Sequence, residues 1–459
     1  VRAPEAQEAG RPRTVPVWRA LPRALRDAHQ SLVDVANAAD GEVVRIGLGV
    51  SNPYLVTHPD HVQQVLQERS DLYLRGDDTA LWRSVRRLVG DGILSEGESW
   101  KVSRKTLAPL FRPARINPLV DTMAEAIDGA TGRLDEAAAS GAVVDIGDEL
   151  SRLVCAAIMR VFFADRLSVD EALRIMAAQD SIVTAMAPRL LAPAMPWWVP
   201  MPGDKQFLRG VQTVDDILLP VLRRALDDSG AGEDVLSTLA RARRDGHPLT
   251  ERQMRDDLVS MVAVTTETSY AALTWLWPVL ATHDHVARRL YAEIDDVVGD
   301  GPVRADHLPQ LTYTQMVLSE LLRLFPAGWI VPRRAAGPDT LGGVRIGKGA
   351  TVILSPLATH RLEAFWGTDA TTFDPERFAP ERVQGRHRYA YYPFGLGIHR
   401  CLGEHLFQME AQLIVATLLS KYRFTLTEPT VPGIRVAASL RPQRRVELTL
   451  ARRETAVAR

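Results

Sequence analysis

The sequence predicts a mainly α fold with a small β-rich region, and three observations point to it. Apolar residues recur at three- and four-residue spacing through most of the chain. One helix in its second half is apolar nearly all round. Short runs rich in Val, Ile and glycine turns are confined mainly to residues 43–57 and 329–355.

Taken in order, residues 43–57 read as two strands, VVRIGLGV and PYLVT, with a turn at Ser51-Asn52. Helical spacing follows at Asp60–Gln67, Ser99–Leu110, Asn117–Ala138, Ile146–Phe163, Val169–Ala187 and Lys205–Leu226. The clearest long helix starts at Thr250, where Thr250 and Gln253 form a capping-box signature, and runs toward Thr282. Asp256 and Asp257 lie in its early turns. Leu258–Leu280 is apolar enough to predict burial on most sides, and Pro278 should kink or end the helix. A helix over Tyr313–Leu324 stops at Pro326, and strands are expected at 329–336, 342–346 and 350–355. His360–Pro393 is a meander without periodicity, of a length usually tied to function. A last helix, Glu404–Lys421, and short strands close the chain.

At 459 residues the chain suggests either two or three domains or one large helical fold. No repeat, low-complexity tract or linker divides it, so one domain over 1–459 is expected. Residues 1–40 form an N-terminal extension to it, and 98–324 its helical part. Hydrophobic content of 46% argues against disorder. Lys+Arg of 55 against Asp+Glu of 56 provides no global attraction to nucleic acid. Cys155 and Cys401 are the only cysteines, which excludes a disulfide framework and fits a reducing, cytoplasmic setting. The polar N-terminal stretch has no apolar core for a signal peptide or membrane anchor, and it opens on Val, as where a short leader has been trimmed. Leu190–Met201 is broken by Pro193, Pro196 and Pro200 and cannot span a bilayer as a helix.

The chemistry centres on residues 394–403, FGLGIHRCLG. Three glycines in ten residues imply a tightly turned backbone. A cysteine in such a turn, at a helix N-terminus, has its thiolate stabilised by peptide N–H groups and the helix dipole. That suits a thiolate ligand to haem iron, where electron donation favours O–O cleavage. A small buried hydrophobe or a phosphate-binding turn are the alternatives, and the loop alone does not separate them. Cys155, inside LVCAAIM, reads as a buried hydrophobe.

The loop resembles the cytochrome P450 cysteine-ligand signature, met by Phe394, Gly397, Cys401 and Gly403, with His399 where many members carry Arg. By resemblance the His399 imidazole meets a haem propionate. Four further stations follow the family's order. Glu320-Leu-Leu-Arg323 resembles its Glu-x-x-Arg, and Phe373-Asp-Pro-Glu-Arg377-Phe378 its meander motif. Together they imply a buried structural cluster of Glu320, Arg323 and Arg377 behind the cysteine loop. Trp100 and Arg104 resemble the C-helix pair aimed at one propionate. Arg333 aligns with a strand arginine of the same role, with its neighbour Arg334 the alternative.

On the long helix, Val264-Thr265-Thr266-Glu267-Thr268-Ser269 resembles the family's acid–alcohol segment. Glu267 and Thr268 fall on the positions that relay protons for O2 cleavage. The sequence departs from the family at Val264 and Thr265, where small residues are usual, which implies a tighter pocket and an altered water chain.

The resemblance covers roughly residues 40 to 450 and implies the P450 fold, with heme b (iron protoporphyrin IX) between the long helix and the final one. It implies a soluble bacterial-type monooxygenase of secondary metabolism. Such an enzyme hydroxylates or epoxidises an apolar small molecule, most often a terpenoid or polyketide, with a fatty acyl substrate as the alternative. A haem-thiolate isomerase, dehydratase or peroxygenase would share the cysteine loop but not need the acid–alcohol pair, and a haem sensor would lack an open distal pocket. No flavin or ferredoxin module follows the last strands, so a separate ferredoxin and ferredoxin reductase are implied, with Arg104, Lys105, Arg112 and Arg115 as docking candidates. The segment between Leu72 and Leu94, the loop at 193–202 and the strand after Pro326 are expected along the access path. Trp197, Trp198 and Trp329 suggest an apolar ligand, with ordinary core packing as the other reading of each.

Overall fold

The computed structural model describes residues 13–16, 27–47, 52–76, 86–164, 166–186, 188–189, 195–196, 198–228, 232, 234–244 and 247–453. Backbone contacts group the chain into two compact units. One holds the residues up to Gly76 with Met316–Cys401 and Gly433–Gln443; the other holds Asp77–Gln315, Leu402–Pro432 and Arg444 onward.

The first unit is built on a six-stranded mixed sheet. Its strands are β1 (Arg13–Pro16), β2 (Val44–Gly47), β3 (Tyr54–Val56), β4 (Tyr73–Leu74), β5 (Val331–Ala335) and β6 (Thr351–Leu354), in spatial order β1-β2-β3-β6-β5-β4. Side chains alternate across a strand, so neighbours on β3 serve opposite cores. Val56 packs with Val62, Tyr73 and Val352, and Leu55 packs with Ala36 of the helix Ala28–Ala38 and with Leu362. That helix starts at Asp27, whose carboxylate accepts the Gln30 N–H at 3.0 Å. Of the turn expected between β2 and β3, Ser51 lies outside the described residues. The meander after β6 contains only helices of about one turn, at Pro356–Thr359, Glu363–Trp366 and Pro380–Gln384, with 3-10 turns at Pro375–Phe378 and Arg388–Ala390.

The second unit is helical. Ile146–Phe163 is capped by Asp145, which accepts the Gly147 N–H at 2.9 Å, and buries an apolar face that includes Leu150, Leu153 and Phe162. The helices Val169–Ala185, Asp204–Asp227, Glu251–Thr274 and Glu404–Lys421 are packed with it or with each other. A three-stranded sheet of Val144–Asp145, Tyr422–Leu426 and Glu447–Arg452 closes one side.

Three expectations are corrected here. Residues 117–138 do not form one helix: a 3-10 turn leads into Val120–Gly129, and a second helix begins at Gly132. The low helix propensity of Gly129 and Gly132 is part of the reason. The Thr131 hydroxyl, which donates to the Asp128 carbonyl at 2.8 Å, marks the break. The long helix has its capping box at Thr250 but stops at Thr274, and Leu276–Thr282 is a separate helix. The interruption falls one turn before Pro278, because a proline ring collides with the carbonyl of the residue four positions earlier, here Thr274. Nor is the long helix buried on most sides throughout. Ala263, Val264, Thr265, Glu267, Thr268 and Tyr270 are partly exposed, and Val264 is 37% exposed.

Candidate active site

Cys401 is exposed, whereas Cys155 is buried with its sulfur 3.3 Å from that of Met176. Burial pushes the Cys155 thiol up to about 12. Only Cys401 is therefore placed to reach a bound group. Its turn is set by two glycines at positive φ, Gly395 and Gly397, both at +68°, a conformation that an L side chain adopts at a cost. The Cys401 N–H donates to the Phe394 carbonyl at 2.9 Å, and Gly403 directly precedes the helix Glu404–Lys421. His399 is half-buried in the short 3-10 turn Gly397–His399.

Behind this turn, in the same unit, the structure brings Glu320, Arg323 and Arg377 together. Glu320 and Arg323 are fully buried and paired through two bonds of 2.6 and 2.7 Å. Arg323 also donates to the carbonyls of His360, Ala370 and Thr372, which fastens three points of the meander. Arg377 Nε stands 3.6 Å from Glu320, too far for a hydrogen bond. Its guanidinium instead donates to the Trp366 and Asp369 carbonyls. On β5, Arg333 lies on the buried face and is 8% exposed, while Arg334 faces the other way, beside Gly349.

In the other unit, Trp100 and Arg104 share the helix Gly97–Leu107, with Trp100 buried and Arg104 half-buried. Lys105, Arg112 and Arg115 are exposed. Thr265 and Thr268 each turn their hydroxyl back to the carbonyl four residues earlier, at 2.6 Å. Glu267 is partly exposed on the same helix.

A Cytochrome P450 family model matches residues 10–450. The chain belongs to the cytochrome P450 family. Among its relatives, the pentalenene oxygenase of Streptomyces avermitilis is 29% identical over 90% of this chain and 91% of its own. The cyclooctat-9-en-7-ol 5-monooxygenase of Streptomyces melanosporofaciens is 31% identical over 86% and 84%. The crystal structure of a cytochrome P450DA heme domain superposes with a TM-score of 0.86 at 22% identity, covering 98% of this chain and 99% of that one. This P450 is thus a monooxygenase with haem as its cofactor, and none of its described helices is long and apolar enough to cross a membrane.

The residues present fit a haem. An exposed thiol stands in a turn whose Gly395 has open space where a Cβ would be. No group of three metal-ligating side chains competes for iron among the described residues.

Several residues at work in this P450 were missed in the sequence. Asp256 and Asp257 are both buried and hold residues 88–95 against the long helix. Asp256 accepts the Asp91 N–H at 3.0 Å; Asp257 accepts the Ile93 N–H at 2.8 Å and the Ser103 hydroxyl at 2.9 Å. Arg255 adds a bond to the Leu88 carbonyl. Gly90 and Gly92 permit the approach, since a Cβ on Gly90 would lie 1.9 Å from the Asp256 carboxyl carbon. An Asp-Asp pair at the edge of an apolar run, with a Gly-x-Gly upstream, was the available signal. Glu410 is buried on the last helix, where burial pushes its carboxyl up to about 8 against a hydrogen bond from Ser269. Arg189, nearly buried, pairs with Asp204 and donates to the carbonyls of Met195, Pro196 and Val199.

Of the aromatic residues expected along an access path, Trp198 is 82% exposed, and Trp197 lies outside the described residues. Trp329 packs against Val33, Leu357 and Leu440 and donates its indole N–H to the Ala437 carbonyl at 3.2 Å. It is half-buried against a core cluster of its unit. Residues 77–85 of the expected Leu72–Leu94 path also lie outside the described ones.

Proposed function

We propose that this P450 hydroxylates or epoxidises a cyclic terpenoid, or a polyketide of similar apolar character, with the whole chain acting as one P450 domain in which Cys401 Sγ would hold the haem iron. Bound haem supplies the O2-activating chemistry. The observation that carries the reading is the exposed stretch of the long helix. There two apolar side chains, Ala263 and Val264, adjoin the Thr265 hydroxyl and the Glu267–Thr268 acid–alcohol pair. Apolar surface suits a hydrocarbon ligand, and a carboxylate beside a hydroxyl suits proton transfer. Two Streptomyces relatives named for pentalenene and cyclooctat-9-en-7-ol, both cyclic terpenoids, support the substrate class.

In this reading Trp100, Arg104, Arg333 and His399 would hold the haem propionates through charge-assisted hydrogen bonds. The Phe394, Gly397 and Gly403 backbone shapes the turn that presents the thiolate. Glu267 takes protons from solvent and Thr268 Oγ passes them on. Val264 and the Thr265 hydroxyl narrow the substrate space. Electrons come from a ferredoxin and its reductase, docked at the exposed Lys105, Arg112 and Arg115 beside Arg104, in the cytoplasm.

A spin-state titration tests the substrate class. Cyclic terpene hydrocarbons and alcohols, macrolide-type polyketides and long-chain fatty acids are added to the haem-loaded protein and the Soret band is followed. The reading expects a high-spin shift with a cyclic terpenoid or polyketide and its oxygenated product in turnover with a ferredoxin system. A shift and product with the fatty acids alone would overturn it.

A further inference from the structure

We propose that His360 is a positioning residue for the Cys401 turn: a neutral imidazole, locked in one tautomer, that ties the end of the helix Thr312–Leu324 to the segment carrying the cysteine. The proposal rests on Cys401 as the haem ligand.

His360 is fully buried. Its Nε2 lies 3.0 Å from the Tyr392 backbone N–H, which donates to it. A ring nitrogen that accepts carries no proton, so the proton sits on Nδ1. Nδ1 is 3.3 Å from the Arg323 carbonyl and donates to it. Arg323 reciprocates, its Nη1 donating to the His360 carbonyl at 2.8 Å. The two residues are thus joined in both directions, and Arg323 is itself fixed by Glu320. From Tyr392 the connection runs on to the cysteine. The Tyr392 carbonyl accepts the Gly395 N–H at 3.0 Å, and the Phe394 carbonyl accepts the Cys401 N–H. The Tyr391 and Tyr392 rings stand 5.2 and 5.3 Å from the imidazole and leave it little freedom to rotate.

The site needs a side chain that donates on one edge, accepts on the other and carries no charge. Arg323, Arg361 and Arg386 surround it, and the buried carboxylate of Glu320 is already engaged by Arg323. A cation here would face like charges and lose the Tyr392 bond. Neutral histidine meets all three demands.

The test uses the full, haem-loaded chain and three variants. In His360→Gln a side-chain carbonyl reaches the Nε2 position and accepts the Tyr392 N–H. In His360→Asn an amide near Nδ1 keeps the Arg323 bond and cannot reach Tyr392. His360→Phe makes neither bond. Haem content, far-UV circular dichroism and the reduced, carbon monoxide-bound spectrum are recorded for each. At equal haem and helix content, the Asn and Phe variants are expected to lose the greater part of the thiolate-type Soret signal, and Gln to retain it. A wild-type ratio of thiolate to thiol signal in Asn and Phe overturns the proposal, as does a Gln variant that loses the signal as fully as Asn. Nitrogen-15 NMR of histidine-labelled wild type gives a second reading that needs no variant to fold: an Nδ1–H tautomer is expected at His360, and an Nε2–H tautomer overturns the proposal. A wild type without any thiolate-type shift would remove Cys401 as ligand together with this inference. Variant behaviour alone would remove only the inference.

Discussion

The backbone of Gly397 lies against Leu66 so closely that a Cβ on it would sit 1.8 Å from the Leu66 carbonyl oxygen. Both the positive φ and this contact exclude a side chain, and the partner atom is backbone, which cannot swing aside. Gly397→Ala is therefore expected to destabilise the protein by at least the roughly 1–3 kcal/mol typical of a strained backbone position. Thermal unfolding and haem content of the purified variant measure it, and an unchanged Tm would contradict the contact.

Glu320 and Arg323 are buried together without solvent to compensate either charge. Glu320→Ala leaves the Arg323 guanidinium uncompensated, at an expected cost of about 3–5 kcal/mol. Arg323→Lys keeps the charge but loses the fork that reaches both Glu320 and the meander carbonyls. In a denaturant series the double replacement is expected to be less damaging than the two single losses added together. Simple additivity would show that the pair is not coupled.

Asp257 gives the fold a pH dependence. Burial pushes its carboxyl up to about 7, against about 4 for an ordinary aspartate. The folded state therefore holds this proton more tightly than the unfolded chain does. The stability it contributes is complete below pH about 4 and is lost as pH rises through about 7. Asp257→Asn cannot ionise, so its Tm should gain on that of the wild type between acidic and mildly alkaline buffer. Parallel curves for the two proteins would refute the assignment.

Thr265 and Thr268 present chemically equivalent hydroxyls three residues apart, each bonded back to the helix. If Thr268 passes protons on, Thr268→Ala should divert electrons from product to peroxide or water several-fold, while Thr265→Ala changes substrate affinity more than coupling. The ratio of product formed to electrons consumed decides between them. The reverse pattern would move the alcohol role to Thr265.

Local patterns made much of this protein legible. The helix Ile146–Phe163 could be bounded by its apolar spacing, and the structure adds the Asp145 cap at its start; Glu404–Lys421 could be placed because a glycine turn directly precedes it. The cysteine turn was visible because its conformation requires glycine. Local pattern failed at residues 117–138 and 263–268. In the first, apolar spacing continues across a backbone break. In the second, an apolar run carries an exposed face, and periodicity registers hydrophobicity but not what a side chain meets.

The sequence by itself pointed to the fold class, because apolar spacing and capping are local, and to the family and its ligand cysteine, because several motifs resemble those of one family in the same order. Only the tertiary structure decided what His360, Asp256 and Asp257 do. Their partners, Tyr392 and Arg323 for the first, and Asp91, Ile93 and Ser103 for the aspartates, lie 32 to 165 residues away in the chain. Whether a polar side chain is buried and satisfied is settled by where distant backbone N–H groups arrive, which no local pattern records.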